Sequence, residues 1–348
     1  MKKKPNKVSL GDIARVAGVS SMAVSRALLN KPGVSEATRE RILGIAKTLG
    51  YAPDARLSSL MAQIRKTTSR DLLPIAWLNT CHERDAWQTP TYHTPYMEGA
   101  RARAQELGYK IEDIWAHEPG LTMKRLSRIL YQRGIEGVIV TFPARHFRLD
   151  WDHLASVALG TSLLAPGLHR VTADLNFNLQ LALKSLRRLN YNRIGICLWP
   201  QVESASHYTI RATARDLYFS ASPKERIPPL FHTRDNSEGK TQAKEMLSWL
   251  ERYRLEVIVG HDGHIKPWLE GAGYCVPEDI GLVHLAVDDD VLDWAGIQSR
   301  RRETGATAVD QLVGLMRNRQ YGVPKVPLNI LIRGTWQNGK TLRVPQPC

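Results

Sequence analysis

Ser20, Ser21, Met22, Ser25 and Arg26 stand close together in a stretch rich in lysine and arginine. At helical spacing, Ser21, Met22, Ser25 and Arg26 share an outward face, and their chemistry suits the edges of base pairs. The Arg26 guanidinium can fork onto guanine O6 and N7, Ser21 and Ser25 can hydrogen-bond base edges or phosphates, and Met22 can pack on a thymine methyl. Catalytic alternatives are weaker. Ser204, His207 and Asp262 could be drawn as a triad, but no GxSxG, HExxH or phosphate-binding glycine loop accompanies them. His261 and His264 are loosely spaced for a metal and lack a third ligand nearby, so neither a metal nor a cofactor is expected.

The elements that must carry these residues follow from periodicity. Leu10, Ile13, Ala14 and Ala17 recur at i, i+3, i+4 and i+7, which predicts a helix from about Leu10 to Ala17. Ser9 is a candidate N-cap for it. Gly18 supplies the turn, and Ser20 can cap a second helix running to about Leu29 with Val24, Ala27 and Leu28 inward. Lys31-Pro32-Gly33 breaks the chain. Ser35 then opens a third helix with Ile42, Ile45, Ala46 and Leu49 on one face, ended by Gly50. Two helices joined by a tight turn, with small residues at the crossing, read as a helix-turn-helix whose second helix enters a major groove.

Charge agrees with that reading once it is located. Of the net +14 over 348 residues, residues 1–70 hold +10: seven Lys and seven Arg against Asp12, Glu36, Glu40 and Asp54. A compact basic module on a nearly neutral body implies a polyanionic partner for the module. Four scattered cysteines without a CxxC pair imply free thiols in a reducing compartment. No apolar run approaches a membrane span, and no apolar segment follows Met1-Lys-Lys-Lys4, so a cytoplasmic protein is expected.

Val8-Ser-Leu-Gly-Asp-Ile-Ala-Arg-Val-Ala-Gly-Val-Ser-Ser-Met-Ala-Val-Ser-Arg-Ala-Leu-Leu-Asn30, with Val34-Ser-Glu-Ala-Thr-Arg39 and Gly50-Tyr-Ala-Pro53, resembles the DNA-binding head of the LacI/GalR family of transcription regulators. The resemblance places Ser21, Met22 and Arg26 at base-reading positions. It places Ser20, Ser25, Asn30, Ser35, Thr38 and Arg39 at phosphate-contacting or head-stabilising ones, and Ser9 joins this set of DNA-binding candidates. It also implies a hinge helix over Asp54–Met61 with Leu60 as a minor-groove wedge, an insertion that costs a few kcal/mol of stacking. Leu57 stands where many members carry alanine. Residues 63–71 read as a linker.

From Leu73 onward, β-rich runs alternate with helical patterns. Strand candidates are 74–78, 110–115, 137–141, 156–159, 193–197, 257–260 and 281–285. Such alternation argues for an α/β body with parallel sheets, and ligands in such folds sit beyond the strands' carboxyl ends. The order resembles the two-lobed effector-binding core of the same family, similar to periplasmic sugar-binding proteins. The expected organisation is a head at 1–53, a hinge and linker at 54–71, and an effector-binding and dimerisation core at 72–348. Lobe 1 would comprise about 72–169 and 296–327, and lobe 2 about 170–295 and 328–341.

By resemblance, Asp174, Arg211, His261 and Asp262 line the effector cleft. Tyr96 is the aromatic candidate, in a segment that also carries Trp87, Tyr92 and His93; Trp199 and Trp268 follow later strands. His284-Leu-Ala-Val287 replaces a family motif that carries an effector-binding aspartate, with Asp288–Asp290 just beyond, and Ser299 takes a frequent glutamine position. A palindromic double-stranded DNA operator, a carbohydrate-like effector and a homodimer are the expected partners, with no membrane. The expected function is that of an effector-modulated repressor rather than an enzyme or a free-standing sugar-binding protein.

Overall fold

The computed structural model describes residues 10–28, 33–49, 72–82, 84, 94–141, 146–198, 205–231, 240–260, 263–287 and 291–343, apart from the side chains of Ser25, residues 205–208 and Lys240. The chain divides into two units, Met1–Asp71 and Leu72–Cys348. Ser9, Asn30, the hinge with Leu60, Trp87, Tyr92, His93, Trp199, Ser204, His261, Asp262 and Asp288–Asp290 lie outside the described residues.

In the first unit, α1 (Leu10–Ala17), α2 (Ser21–Leu28) and α3 (Glu36–Thr48) close around one small core. Ile13, Ala14, Ala17, Val24, Ala27, Ile42 and Ala46 form it, with Leu10, Leu28, Ile45 and Leu49 packed on its rim. Alanines at the crossings let short helices approach closely. Gly18 turns the chain at φ +62°, where a side chain would be strained.

The second unit holds two six-stranded sheets. The first contains β1 (Leu73–Asn79), β2 (Tyr109–Trp115), β3 (Gly137–Val140), β4 (Ala155–Leu159), β5 (His169–Ala173) and β11 (Asn329–Ile332), in the order β11-β5-β4-β3-β1-β2. All its pairings are parallel. The second contains β6 (Ile194–Leu198), β7 (Leu230–Phe231), β8 (Val257–Gly260), β9 (Gly281–Val287), β10 (Ala295–Gln298) and β12 (Thr335–Gln337), in the order β12-β10-β9-β8-β6-β7. Only β12 runs antiparallel, against β10.

Helices cover both faces of each sheet. On the first, α4 (Thr94–Glu106) and α10 (Arg301–Arg317) share one face, where Met97, Ala100 and Ala104 meet Ala308, Val309 and Leu312 over Ile75, Trp77 and Val157. Helix α5 (Met123–Gln132) seals the other face with Leu126 and Leu130. On the second sheet, α6 (Leu175–Arg188) and α7 (Ala205–Ser220) pack opposite α8 (Lys240–Tyr253) and α9 (Ile265–Gly271). This is the doubly wound α/β architecture expected, in two lobes.

The chain crosses between lobes after Ala173, after Gln298 and after Ile332. The expected breaks at about 170, 296 and 328 fall a few residues early. Strands β5, β10 and β11 complete the sheet they follow instead of opening the next one. All three crossings leave from strand carboxyl ends, so the two carboxyl edges bound the space between the lobes.

The β5–β11 seam is pH-sensitive. Leu328 N–H donates to His169 Nδ1 at 3.1 Å, which only the unprotonated nitrogen accepts. Burial also pushes the imidazole below its ordinary 6.5. Between that depressed value and 6.5 the unfolded chain binds a proton that the folded chain does not. This contribution is complete above about pH 6.5 and is lost as pH falls below it. The melting temperature should therefore fall further from pH 7 to pH 5.5 in the wild type than in His169→Asn. The expected difference is roughly 2–4 °C for one hydrogen bond worth about 1 kcal/mol. Equal falls in the two proteins would show that His169 does not titrate with unfolding.

Candidate functional site

Helix α2 turns Ser21, Met22 and Arg26 outward, Met22 being 66% exposed although apolar. Such an exposed methionine beside an arginine fits a contact surface better than a core. A Cβ on Gly33 would stand 3.1 Å from Arg26 Nη1, so glycine there leaves room for the guanidinium. The hydroxyls predicted near phosphates are engaged inside the head. Ser20 Oγ accepts from Ala23 N at 3.2 Å. Ser35 Oγ caps α3 from Thr38 N at 3.4 Å and lies 2.8 Å from Thr38 Oγ1. Arg39 is 16% exposed and pairs with Glu36 at 2.5 Å. Ser20 thus caps α2, and Ser35, Thr38 and Arg39 are engaged in the first turn of α3, while Ser21, Met22 and Arg26 remain presented to solvent. One contact escaped the sequence reading: Arg41 Nη2 donates to Ala17 O at 2.9 Å, placing a cation on the carboxyl end of α1. A basic residue on the helix facing that end was its available signal.

In the core, Asp174 is a junction residue. It caps α6, Oδ1 accepting from Phe177 N at 3.0 Å, while Oδ2 lies 3.6 Å from Arg333 Nε, and its side chain is only 14% exposed. Arg333 in turn lies 4.6 Å over the Phe177 ring. Tyr96, on the first turn of α4, packs against the first-lobe core with Arg301 6.0 Å over its ring. Arg211 lies on α7 with its guanidinium 4.6 Å over Phe231, its Nε buried without a hydrogen-bond partner. Thr213 Oγ1 donates to Asn176 Oδ1 at 3.0 Å, tying the Arg211 helix to the helix that Asp174 caps. Tyr96 thus belongs to one lobe, and Asp174 and Arg211 to the other.

Two further residues singled out in the sequence lie on the second sheet and its covering helix. His284 is buried, its Nδ1 2.7 Å from Ala286 O and its ring edge-on to Trp294 at 5.8 Å. Trp268 packs on the second-lobe core.

The carboxyl edge of the first sheet holds polar groups that sequence reasoning missed. Asn79 Oδ1 accepts from Cys81 N at 3.0 Å and its Nδ2 donates to Arg84 O at 2.9 Å. Thr80 Oγ1 donates to Thr141 O, and Thr141 Oγ1 to Leu78 O, both at 2.8 Å. Trp115 Nε1 reaches Cys81 O at 2.9 Å, and His117 stacks on His82 at 4.9 Å. Burial, then the charge of Asp113, pushes the Cys81 thiol above its ordinary value, so it is a poor nucleophile. The signal was the abrupt change from apolar strand to Asn79-Thr-Cys-His82. Among the described residues no cluster of three or more metal-ligating side chains occurs, and no helix is long and apolar enough to cross a membrane.

Comparison with known proteins bears on both units. The family model described as bacterial regulatory proteins, lacI family, matches residues 9–54. The sucrose operon repressor of Escherichia coli is 46% identical over 144 residues, 40% of each chain, so this chain spans about two fifths of that relative's length. The transcriptional regulator MalR of Streptomyces coelicolor is 29% identical over 300 residues, 79% of each chain. These named relatives are regulators, not enzymes. Among solved structures, a complex of the transcriptional regulator CelR with cellobiose superposes with a TM-score of 0.57 at 17% identity, covering 96% of this chain and 100% of that one. The lac repressor dimer bound to operator and the anti-inducer ONPF gives 0.55 at 19%, covering 97% and 99%. Both likenesses concern the fold. Residues 9–54, which span α1 to α3, thus match the lacI family of bacterial regulatory proteins, and the two-lobed α/β core has the fold of these solved structures.

Proposed function

We propose that this protein is a sequence-specific transcriptional repressor whose hold on a DNA operator is modulated by a small effector, a sugar or sugar derivative. The observation that carries the reading is the solvent-facing trio Ser21, Met22 and Arg26 on the second helix of a basic head, residues 1–70 holding +10 of the net +14. A relative named as a sucrose operon repressor, another named as the transcriptional regulator MalR, and neighbours solved with cellobiose or operator support it. In this reading residues 1–53 read DNA, 54–71 form the hinge and linker with Leu60 as wedge, and 72–348 bind effector and dimerise. Ser9, Ser20, Ser25, Asn30, Ser35, Thr38 and Arg39 support or contact the backbone around the reading trio. One head contacts too few bases for selectivity, so a homodimer on a palindromic site follows. The effector binds between the carboxyl edges of the two sheets, with Arg211 donating to it and Asp262, His261, Asp174 and Tyr96 completing the cleft. The protein works in the cytoplasm, where its operator is, by binding rather than by turnover.

Selection of bound fragments from a random duplex library, followed by titration of the winner, tests the DNA half. A palindromic consensus bound by a dimer is expected; a monomeric, sequence-indifferent complex would sink the reading. For the effector half, Arg211→Ala should raise the effector concentration needed to change operator affinity by about 10- to 150-fold, the worth of a charged hydrogen bond. An unaltered response in that variant would remove Arg211 from the cleft.

A further inference from the structure

We infer that the effector carries a phosphate monoester, held by Arg211 and Arg215 at the carboxyl edge of the second sheet. The inference rests on the effector reading above and narrows it to a phosphorylated sugar. Arg211 and Arg215 are one helical turn apart on α7, and both guanidinium groups lie over the Phe231 ring, at 4.6 Å and 5.2 Å from its centre. Two cations sharing one aromatic ring repel each other, and among the described residues neither has a carboxylate partner. Asp216, on the same side of the helix, pairs with neither. Arg211 Nε is buried and makes no hydrogen bond, a donor left without an acceptor.

Location points the same way. Side chains on a helix lean toward its N-terminus, which for α7 is the end that follows strand β6. Phe231 pairs with Leu198, the last residue of β6, so the ring and the two cations above it stand at the carboxyl edge, where ligands of doubly wound sheets bind. Along α7, Arg211, Ala212, Arg215, Asp216 and Phe219 line an open cavity of about 370 Å³, which both arginines border. The ring brings both guanidinium groups to one place, and each carries several N–H donors. Two guanidinium groups match a dianion of three terminal oxygens better than they match neutral hydroxyls, which offer no charge to offset the repulsion.

The test uses the full-length protein and calorimetric titration with glucose, fructose, sucrose and cellobiose, each as free sugar and as its 6-phosphate, with inorganic phosphate as a separate arm. At least one ester should bind ten or more times tighter than its free sugar and tighter than inorganic phosphate. Arg215→Gln should collapse that ester-to-sugar ratio toward one, and Arg215→Lys should restore part of it. The same ester should change operator affinity. If no ester outbinds its free sugar by tenfold, the phosphate assignment is overturned, whereas a free sugar that binds and shifts operator affinity leaves the effector reading standing. If inorganic phosphate binds as tightly as every ester, the pair is an anion site only and the assignment is overturned. An ester preference that survives Arg215→Gln also overturns it, by taking the second arginine out of the site.

Discussion

Alanine at Gly99 or Gly305 is expected to cost the core about 3 kcal/mol, lowering its melting temperature by roughly 5–10 °C. The two glycines lie where α4 and α10 cross. A Cβ on Gly99 would stand 2.0 Å from Arg302 O, and one on Gly305 would stand 2.0 Å from Tyr96 O. Both obstructing atoms are backbone, so neither can rotate aside, and the helices must separate. Separation would loosen Met97 and Ala100 from Ala308 and Val309, which share one core cluster. Gly314, three turns along α10 from the start of the crossing, has nothing within 4 Å of its Cβ position. Gly314→Ala should therefore stabilise the protein by about 0.5–1 kcal/mol through helix propensity alone. Melts of the three variants, followed by circular dichroism, check the contrast. Similar behaviour at all three positions would show that the crossing tolerates a methyl group.

Arg26→Ala should cost roughly 1–3 kcal/mol at one base pair of each half-site, and two half-sites in a dimer multiply the loss. The guanidinium is exposed on α2, close to Gly33, with no carboxylate partner among the described residues, so it is free to meet a base. Base preference should relax at that one position and stay sharp elsewhere. Arg39→Ala is the useful contrast. Arg39 is largely covered and paired with Glu36, so its loss should act on all sequences alike, through head stability and any phosphate contact. Binding of a set of single-base operator variants by both mutants separates the two effects. Loss of affinity without change of preference in Arg26→Ala would falsify the assignment of α2 as the reading helix.

How far the sequence could be read depended on what each segment buries. The head was legible because its apolar residues recur at helical period and its stops are explicit: Gly18, Ser20 and Ser35. Strands β1, β3, β4, β8 and β9 were legible as apolar runs, being buried on both faces. Strand β5, His169–Ala173, buries only Val171 fully, and β11, Asn329–Ile332, alternates exposed and half-buried positions at a sheet edge. β7 has two residues. Segments so short span too few positions for a period to stand out in the sequence, and that is why the expected lobe boundaries fall early. The effector residues were harder still. Asp174 looked like a ligand-binding acid, but an aspartate one residue before a helix is first a cap. Arg215, four residues after Arg211, was readable as sharing its face; only the ring of Phe231, distant in sequence, shows that the two cations converge.

The three crossings between lobes also set an order of events on the ribosome. The first lobe needs α10 to cover Ile75, Trp77 and Val157, and β11 to flank β5. Those elements are synthesised only after nearly all of the second lobe. Between the end of β5 and the start of α10 lie roughly 130 residues, on the order of 10 s of translation at ~5–20 residues per second. Throughout that interval the nascent first lobe presents an uncovered apolar face and an unpaired strand edge, while the three-helix head, whose core is local, can already be folded. The elements made first in the core are thus among the last to be completed. Nascent chains stalled near residue 300 should be the ones that chaperones hold longest.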